Sequence, residues 1–428
     1  MGDGRGARDR ITPTELVDRM LETMSQLGEF RLLLEELCCD LCRFEHVTRD
    51  GLAPEAVRID REYWLGAPGV FADIRVAPAG LPPYFVEVKY GYSNERLVRH
   101  LGRKYTTLVS SNAAAASKVV LVVDRQARAE WERIERDLAA QLAHGLQLEV
   151  WDESRLAKLL ADRFNVNIPA ITTDNLLDVR QAIDRAKGFH AFSGSSFAEY
   201  EHDPLKAQLL WHFGFWRIQQ LRSSGRSTPG DILPPGQYQG VAVLVADLCS
   251  FSSYVRDTSD VEIVRESLTA FYSKARYQII NNGGMLYQFG GDEVLGLFGI
   301  PDHPERFTDS VLDTARALCR IGESVMHQWQ RRIDREQPSA GLHVGVAIGD
   351  LQIVSFRPFS RLHIGAIGDC INVASRLLSL AGPGDVVVSN AFHQQLDERS
   401  HARCSQIEPV DARNVGRIKA WKIAARPG

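Results

Sequence analysis

The sequence lacks the features that mark several specialised classes of protein. In its 428 residues, no stretch of 18 is free of charge, so we expect no membrane-spanning helix. The opening residues, MGDGRGARDRITPTE, have no apolar core, which argues against a secretory signal. Lys and Arg number 50 against 54 Asp and Glu, a formal net charge of −4, so no overall charge favours nucleic acid or anionic lipid. These absences predict a cytoplasmic protein.

Cysteine is also scarce, with seven residues in the whole chain. Cys38, Cys39 and Cys42 lie close together, and the others are scattered without the paired CxxC motifs of zinc modules. The stretch RLLLEELCCDLCRF fits a buried helix face on which Cys acts as a small hydrophobic residue. A zinc site at these three cysteines is the less favoured alternative, and we expect reduced thiols.

The chain is long enough for two or three domains, and its 44% hydrophobic residues can form real cores. Periodicity predicts an α/β domain over residues 1–170 and a second domain of helices and strands over residues 237–428. Between them, residues 171–236 are interpreted as a connector that contains an amphipathic helix and a Gly/Pro/Ser linker. The elements predicted before residue 237 are helices at 12–44, 95–108, 127–144, 153–164 and 202–223, β-rich runs within 72–90, strands at 118–124 and 146–151, and the linker at 223–236.

The second domain reads as an α+β fold with a palm-like, ferredoxin-like sheet that contains antiparallel strands. The pattern alternates single helices with strands and includes one β-hairpin, in the order βα–ββ–αβ–αβ. The predicted elements are strand 240–247, helix 259–280, strands 285–289 and 293–298, helix 307–328, strand 341–348, helix 370–380, strand 385–389 and a terminal pair of strands.

Two carboxylates occupy positions at which the backbone would hold them rigidly. Asp247 ends the buried strand GVAVLVAD, and Asp292 lies in the Gly-flanked hairpin turn FGGDEV. Two carboxylates at one edge of a sheet can hold a pair of divalent cations that clamp phosphate oxygens. The plain alternative is that Asp247 is a helix cap and Asp292 a turn residue. The residues after the first carboxylate begin the next element and could turn backbone N–H groups toward phosphates: Cys249, Ser250, Phe251 and Ser252.

A third element adds an amide and a guanidinium. Asn372 and Arg376 are four residues apart in a predicted helix, so they share one face. This pair suits the negative charge that develops on a phosphoryl group during transfer. Read alone, it is more simply explained as a solvated surface pair.

Together, these segments resemble the class III nucleotidyl cyclases over about residues 238–425. The order and spacing of several motifs carry the resemblance. They are Asp247-Leu-Cys-Ser-Phe251, Gly283-Gly284, Phe289-Gly-Gly-Asp292, Val344-Gly-Val-Ala-Ile-Gly349, Gly368-Asp-Cys-Ile-Asn372-Val-Ala-Ser-Arg376 and Gly382-Pro-Gly-Asp-Val-Val-Val-Ser389.

The resemblance implies a homodimer whose active sites lie at the interface. One chain would supply Asp247, Asp292 and the backbone carbonyl of Leu248 to two Mg²⁺ or Mn²⁺ ions. The partner would supply Asn372 to orient the ribose and Arg376 to stabilise the transition state. The ribose 3′-hydroxyl would attack the α-phosphorus of a nucleoside triphosphate, and pyrophosphate would leave.

Two family phosphate contacts are less clear in this sequence. A family lysine in the last pair of strands contacts the triphosphate, and Arg417 or Lys419 could fill that role here. His343 stands where the family often has an arginine, which puts that contact in doubt.

The positions that select the base depart from the family pattern. Adenylate cyclases resembling this chain have Lys at one position and Asp or Thr at the other, and guanylate cyclases have Glu and Cys. Here the two positions hold Gln288 and Gly365. Because Gln offers one donor and one acceptor, it could pair with uracil or, after an amide flip, with cytosine. The alternative is that Gln288 tolerates ATP loosely.

The altered base positions resemble those of the pyrimidine cyclases of bacterial Pycsar anti-phage systems. The resemblance implies that this chain makes cyclic UMP or cyclic CMP as a second messenger for a downstream effector, with UTP slightly favoured over CTP. An adenylate cyclase with relaxed base contacts, and an inactive nucleotide-binding module, are alternatives. A diguanylate cyclase is disfavoured despite FGGDEV, because LCSFSSYVRD lacks that family's upstream residues.

The first domain carries a second, weaker pattern. Asp73 on one strand, followed by Glu87 and Lys89 on the next, resembles the PD-(D/E)xK, restriction-endonuclease-like fold. In that family the two acids bind Mg²⁺ and the lysine lies near the attacked phosphate. Alternating charges on a strand give the same pattern by chance, so we expect a vestigial site. The domain would then be a sensor for a phage-derived or nucleic-acid ligand that acts on the cyclase dimer through helix 202–223. A nuclease regulated by the cyclase half is the alternative.

Overall fold

A mixed five-stranded sheet forms the centre of the N-terminal half in the computed structural model. The structure describes residues 13–105, 116–124, 135–137, 146–172, 174–192, 203–304, 307–337, 339–357, 362–412 and 416–424. The strand order is β1-β2-β3-β4-β5; the first three strands are antiparallel, and β4 and β5 continue parallel to β3. The elements are α1 Pro13–Arg49, β1 Val57–Trp64, β2 Phe71–Pro78, β3 Tyr84–Val88, α2 Asn94–Tyr105, β4 Lys118–Val122, β5 Gln147–Trp151 and α3 Glu153–Phe164.

The structure of this half differs from the prediction at two elements. Helix α1 continues to Arg49 rather than ending near Phe44, and β1 was not predicted at all. The sequence of β1, VRIDREYW, is too charged to suggest a strand, yet Asp60, Arg61 and Glu62 are buried in it. Ion pairs make this burial possible. The predicted helix at 127–144 lies outside the described residues, apart from 135–137.

The prediction of a buried cysteine face on α1 is confirmed. Cys38, Cys39 and Cys42 are all buried and free of disulfides. Burial raises the pKa of all three thiols, to about 12 at Cys42. Such thiols stay protonated and pack as small apolar side chains.

The connector is more ordered than the sequence suggests. It contains helices α4 Leu176–Ala191, α5 Pro204–Ser223 and the short α6 Pro229–Ile232. Helix α6 lies inside the predicted linker and is closed by a capping box between Thr228 and Asp231. Helix α5 bends at Gly214, whose φ is 68°. A Cβ there would lie 3.0 Å from the Ile280 side chain, so glycine allows both the bend and the close approach of α5 to the second domain.

The second sheet has the order β12-β13-β11-β9-β6-β8-β7, with β10 pairing to β9. Among the described residues, its strands pair antiparallel except for β11 with β9, which are parallel. The predicted α+β architecture is confirmed. The elements are β6 Gly236–Leu248, α7 Phe251–Asp257, α8 Val261–Asn281, β7 Met285–Gly290, β8 Glu293–Phe298, α9 Phe307–Ile333, β9 Leu342–Phe356, β10 His363–Ile367, α10 Asp369–Leu378, β11 Asp385–Ser389, α11 Asn390–His393, α12 Glu398–His401, β12 Cys404–Ala412 and β13 Gly416–Ala424.

Several predicted boundaries in this half move. The predicted helix at 259–280 is confirmed as α8, and the short helix α7 before it was not predicted. Strand β9 runs to Phe356 instead of ending at 348, because it pairs there with β10, which was not predicted. Strand β6 begins at Gly236, inside the predicted linker.

Helices cover both faces of this sheet. Alternate residues of β6 enter two different cores: Ala242, Leu244 and Ala246 pack with α8 and α9, while Val243 and Val245 pack with α10 on the other face. This period of two is what a central, doubly covered strand requires. Among the described residues, no helix is long and apolar enough to span a membrane.

Two glycines bring α10 against β9. A Cβ on Gly345 would lie 2.2 Å from the Ala374 carbonyl oxygen, and one on Gly349 would lie 2.8 Å from the Cys370 Cβ. Contacts that short cannot be tolerated, so any side chain here would push the helix away. The predicted motif Val344-Gly-Val-Ala-Ile-Gly349 is therefore a groove that seats α10, the helix of Asn372 and Arg376.

Candidate active site

The two predicted metal carboxylates lie together at one end of the sheet. Asp247 is the residue before the end of β6, and it pairs across the ladder with Glu293 of β8. Asp292 precedes Glu293 in the tight turn between β7 and β8. Burial, together with the hydrogen bond and charge of Asp247, raises the pKa of Asp292 to about 7. The end of β6 and the hairpin turn thus bring two carboxyl groups close enough to share a proton.

This arrangement suits divalent cations. Two crowded carboxylates repel each other when both are charged, and bound cations would remove that repulsion. Glu293 also belongs to the group, since burial and the charge of Asp247 raise its pKa. Asp247 and Asp292 remain the side chains predicted to hold metal, with the Leu248 carbonyl as the predicted backbone ligand. The described residues contain no ready-formed metal site of three or more His, Cys, Asp or Glu ligands.

His343 contributes to the same group. On β9 it lies opposite Asp247, with its Nε2 3.5 Å from the Asp247 Oδ2. Its Nδ1 lies 2.8 Å from the Ala381 carbonyl oxygen, which can only accept, so Nδ1 carries the proton. Burial opposes the charged form, but the Asp247 carboxylate and the Ala381 carbonyl outweigh it and raise the pKa of His343. The histidine that replaces the family arginine thus faces the carboxylate pair.

The turn after Asp247 leads from β6 into the short helix α7. Ser250 adopts a left-handed backbone, φ 60°, and α7 starts at Phe251. The N–H of Cys249, however, donates to the Gly341 carbonyl at 3.0 Å. The N–H of Cys249 is therefore already used, and the predicted phosphate contacts rest on Ser250, Phe251 and Ser252.

Asn372 and Arg376 lie exposed on one face of α10. The opposite face of the helix is buried against β9, through Ala374, Leu377 and Leu378. The polar pair thus points away from its own core and is accessible to a second chain.

The two predicted base-selecting positions lie on strands that do not pair with each other in the sheet but are joined by one hydrogen bond. The Tyr287 hydroxyl accepts a hydrogen bond from the Ala366 N–H at 3.0 Å, which joins β7, the strand of Gln288, to β10, the strand of Gly365. Gln288 is exposed. A Cβ on Gly365 would lie 2.4 Å from the Phe356 ring, so this ring covers the position where purine cyclases carry a side chain. Sequence reasoning missed Phe356, because its strand was expected to end at 348.

The predicted triphosphate contacts on β13 are both solvent-accessible. Arg417 and Lys419 are two residues apart, so they project from the same face of the strand. Both are exposed, and the structure does not choose between them.

Aromatic contacts hold the hairpin that carries Asp292. The Tyr272 ring of α8 stacks on Phe289 of β7, with 4.2 Å between the ring centroids, and its hydroxyl donates to the Gly291 carbonyl. On its other side Phe289 meets Trp211 of α5, edge to face at 5.8 Å. The position of Asp292 thus depends on two helices, one of them from the connector. Nothing in the motif itself reveals these contacts.

The predicted acids of the N-terminal domain also come together, but in a neutralised cluster. Lys89 forms ion pairs with Asp73 and, at 2.8 Å, with Glu87. Lys104 approaches Glu87 to 2.8 Å, and the Tyr105 hydroxyl donates to it at 2.5 Å. Burial alone would raise the pKa of Asp73, but the two ammonium groups lower it well below its usual range. Sequence reasoning found Asp73, Glu87 and Lys89 and missed Lys104.

A buried ionic cluster joins the two halves of the chain. Arg61 of β1 pairs with Glu35 of α1, and Glu62 pairs with Lys274 of α8. Ser324 of α9 donates to Glu62 at 2.7 Å. Each of these ionic groups is almost fully buried, so the N-terminal domain is fixed to the helices that pack behind the carboxylate pair.

Comparison with known proteins identifies the second half. The family model for the adenylate and guanylate cyclase catalytic domain matches residues 233–425. The C-terminal half is therefore a class III nucleotide cyclase catalytic domain, as the motifs predicted.

Curated relatives share this region. An uncharacterized protein of Mycobacterium tuberculosis is 28% identical over 183 residues, which cover 42% of this chain and 30% of that protein. A protein named adenylate cyclase from the same species is 24% identical over 245 residues, covering 54% of this chain and 49% of its own. The chain thus spans half or less of the length of these relatives.

Two of the solved structures that are similar to part of this chain are a guanylyl cyclase and an adenylyl cyclase. The guanylyl cyclase Cya2 has 20% identity and a TM-score of 0.39, covering 44% of this chain and 93% of its own. The adenylyl cyclase CyaB from P. aeruginosa has 17% identity and a TM-score of 0.42, covering 46% and 98%.

Proposed function

We propose that this protein converts UTP or CTP to the 3′,5′-cyclic monophosphate and pyrophosphate, as a second messenger in anti-phage defence. The carboxylate pair of Asp247 and Asp292 supports cyclase activity, because the two groups lie together at one end of the sheet, at the positions where the cyclase motifs carry metal ligands. Divalent Mg²⁺ or Mn²⁺, two per site, would neutralise the triphosphate and lower the pKa of the attacking hydroxyl.

Groups of the protein itself bind and orient the substrate. Asn372 orients the ribose so that its 3′-oxygen lies in line with the α-phosphorus. Arg376 donates to the oxygens that gain charge as the bond to pyrophosphate breaks. Ser250, Phe251 and Ser252 direct N–H groups to the phosphates, and Arg417 or Lys419 contacts the triphosphate.

Pyrimidine choice rests on the base positions. Gln288 can donate to and accept from the edge of uracil or cytosine, whereas the purine-specific Lys or Glu is absent. The Phe356 ring over Gly365 takes up space, which favours a single-ring base.

The first test is turnover. We expect the full chain with Mn²⁺ to release pyrophosphate and a cyclic nucleotide from UTP or CTP, and Asp292→Ala to abolish both. Release of pyrophosphate without a cyclic product, or unchanged activity in Asp292→Ala, would overturn the proposal.

The exposed face of α10 supports a homodimer with shared sites. If one chain supplies Asp292 and the other Arg376, then Asp292→Ala and Arg376→Ala are each inactive, but a mixed dimer contains one intact site. Mixing the two variants in equal amounts should restore about a quarter of wild-type activity, since half of the dimers are mixed. No recovery despite exchange of subunits would show that each site lies within one chain.

The N-terminal domain is proposed to be regulatory, over residues 1–170, with 171–236 as connector and 237–428 as cyclase domain. The ion pairs of Lys89 and Lys104 with Glu87 support a vestigial site rather than a nuclease, because the acids are already neutralised. A phage-derived ligand is the proposed signal. Phage protection that is unchanged when Lys274→Met loosens the buried ionic cluster would contradict coupling between the domains.

A further inference from the structure

A cavity of about 580 Å³ lies between the N-terminal domain, the connector and the cyclase domain. Its walls come from α1, α4, α5, the end of α8 and the beginning of α9. This volume lies in the range of small-molecule sites. None of the predicted catalytic or base-binding residues lines it, so it is separate from the active site.

One side of the cavity is aromatic. Trp211, Phe215 and Trp216 of α5 line it together. Trp211 is 45% exposed, and such exposure is unfavourable for an apolar side chain of this size beside a domain junction. The Arg276 guanidinium lies 5.2 Å from the Trp211 ring centroid. An indole and a guanidinium arranged in this way offer a flat surface on which a planar ring can stack.

Another side presents two guanidinium groups whose hydrogen bonding is incomplete. Arg43 is only 5% exposed; its Nη2 donates to Asn281 and to the Val57 carbonyl, but its Nε has no acceptor among the described residues. Arg217 donates from Nη1 to Gln220, but its Nε is without an acceptor there, and a carboxylate oxygen of Asp302 lies 3.9 Å from its Nη2. Burial lowers the pKa of Arg217, as expected for a cation with too little negative charge around it. A phosphate would supply the missing acceptors in a bidentate geometry.

The acids that line the cavity divide into two groups. Glu36 and Asp40 are neutralised by Lys187, with N–O distances of 2.9 and 2.8 Å. Asp184 also lines the cavity, where its carboxylate is exposed to solvent. It can accept a hydrogen bond from a ribose hydroxyl or a base amino group. Stacking surface, phosphate donors and a hydroxyl acceptor together match one class of ligand.

We propose that this cavity binds a nucleotide, with the base on Trp211 and the phosphate at Arg43 and Arg217, and that occupancy adjusts the hairpin of Asp292. The second part rests on the proposed cyclase function. The path is direct: Trp211 contacts Phe289, and Phe289 stacks on Tyr272, whose hydroxyl holds Gly291 next to Asp292. His212, the next residue of α5, contacts the Leu286 carbonyl of the same strand.

The binding test uses the full chain in EDTA, which disfavours the metal-dependent active site. Isothermal titration with UMP, AMP, 3′,5′-cyclic UMP and 3′,5′-cyclic AMP should show one molecule of at least one of them bound per chain. Arg217→Met should weaken that affinity at least tenfold. Arg331→Met, which removes an exposed arginine of α9 outside the cavity, should leave it unchanged, as should Gln288→Ala in the active site.

Each other outcome has a meaning. No binding of any of the four nucleotides overturns the proposal, as does binding that is lost in Gln288→Ala and kept in Arg217→Met, since the nucleotide would then occupy the active site. Inorganic phosphate binding as tightly as the nucleotides would overturn the stacking role of Trp211. If Arg217→Met fails to fold by circular dichroism, the exposed Trp211→Leu replaces it, with the same tenfold loss expected. Turnover of UTP or CTP by the wild type is scored separately, so cyclase activity can stand while this site fails.

Discussion

The most specific prediction concerns the seat of α10 on β9. Replacing Gly345 by Ala puts a Cβ 2.2 Å from the Ala374 carbonyl oxygen and 2.5 Å from the Leu378 N. Both neighbours are helix backbone and cannot rotate away. To reach an ordinary contact, α10 must move outward by about 1 Å, and overpacking of this kind costs about 1–3 kcal/mol.

The same displacement should affect catalysis more than stability. Asn372 and Arg376 move with α10, and a misplacement of about 1 Å in catalytic groups can lower the rate by about 100-fold. We therefore expect Gly345→Ala to fold, to lose about 1–3 kcal/mol of unfolding free energy in urea, and to lose far more of its kcat than of its affinity for substrate.

The matched control is Gly230→Ala in α6. A Cβ there meets nothing closer than the Thr228 hydroxyl at 3.8 Å, so stability and activity should stay within error of the wild type. If Gly345→Ala were as stable and active as Gly230→Ala, the proposed groove for α10 would be wrong.

Three further predictions test other parts of the molecule. Lys274→Met leaves Glu62 buried without its partner and should cost about 3–5 kcal/mol in urea unfolding, whereas a loss under about 1 kcal/mol would show that the pair is solvated. The pKa of Asp292 is raised to about 7 without metal, so protons compete with cations below that pH. The apparent affinity for Mn²⁺, followed by titration, should therefore rise from pH 6 to 8 and then level off. Asp292→Asn should remove this dependence. Glu87→Gln should lower the melting temperature, because it leaves Lys104 with less neutralising charge. The wild type should not nick plasmid DNA in Mg²⁺. Efficient nicking would show that the acids are catalytic.

The sequence predicted the cyclase half well because its signals are local. Asp247 follows a buried apolar run, and Asp292 follows two glycines, so strand end and hairpin turn are both encoded within a few residues. Asn372 and Arg376 are likewise fixed by helical spacing. The fold of this half and the neighbourhood of the carboxylates followed from these patterns.

The missed features depend on contacts distant in sequence. Strand β1 is charged, and its burial becomes favourable through ion pairs, among them those of Arg61 with Glu35 of α1 and of Glu62 with Lys274 of α8. Lys104 joins the N-terminal acids from a helix beyond them, and Phe356 reaches Gly365 only because β9 continues into a pairing with β10. A single sequence carries no direct signal for such partners.

The most direct test of the central claim is competition among substrates. The full chain is incubated with Mn²⁺ and an equimolar mixture of ATP, GTP, CTP and UTP, and the cyclic products are quantified by mass spectrometry, with Asp292→Ala as the control. The account predicts that cyclic UMP or cyclic CMP dominates, that both are absent from the control, and that Gln288→Ala weakens the preference. Cyclic AMP as the sole product would contradict pyrimidine selection and assign this chain to adenylate cyclase activity.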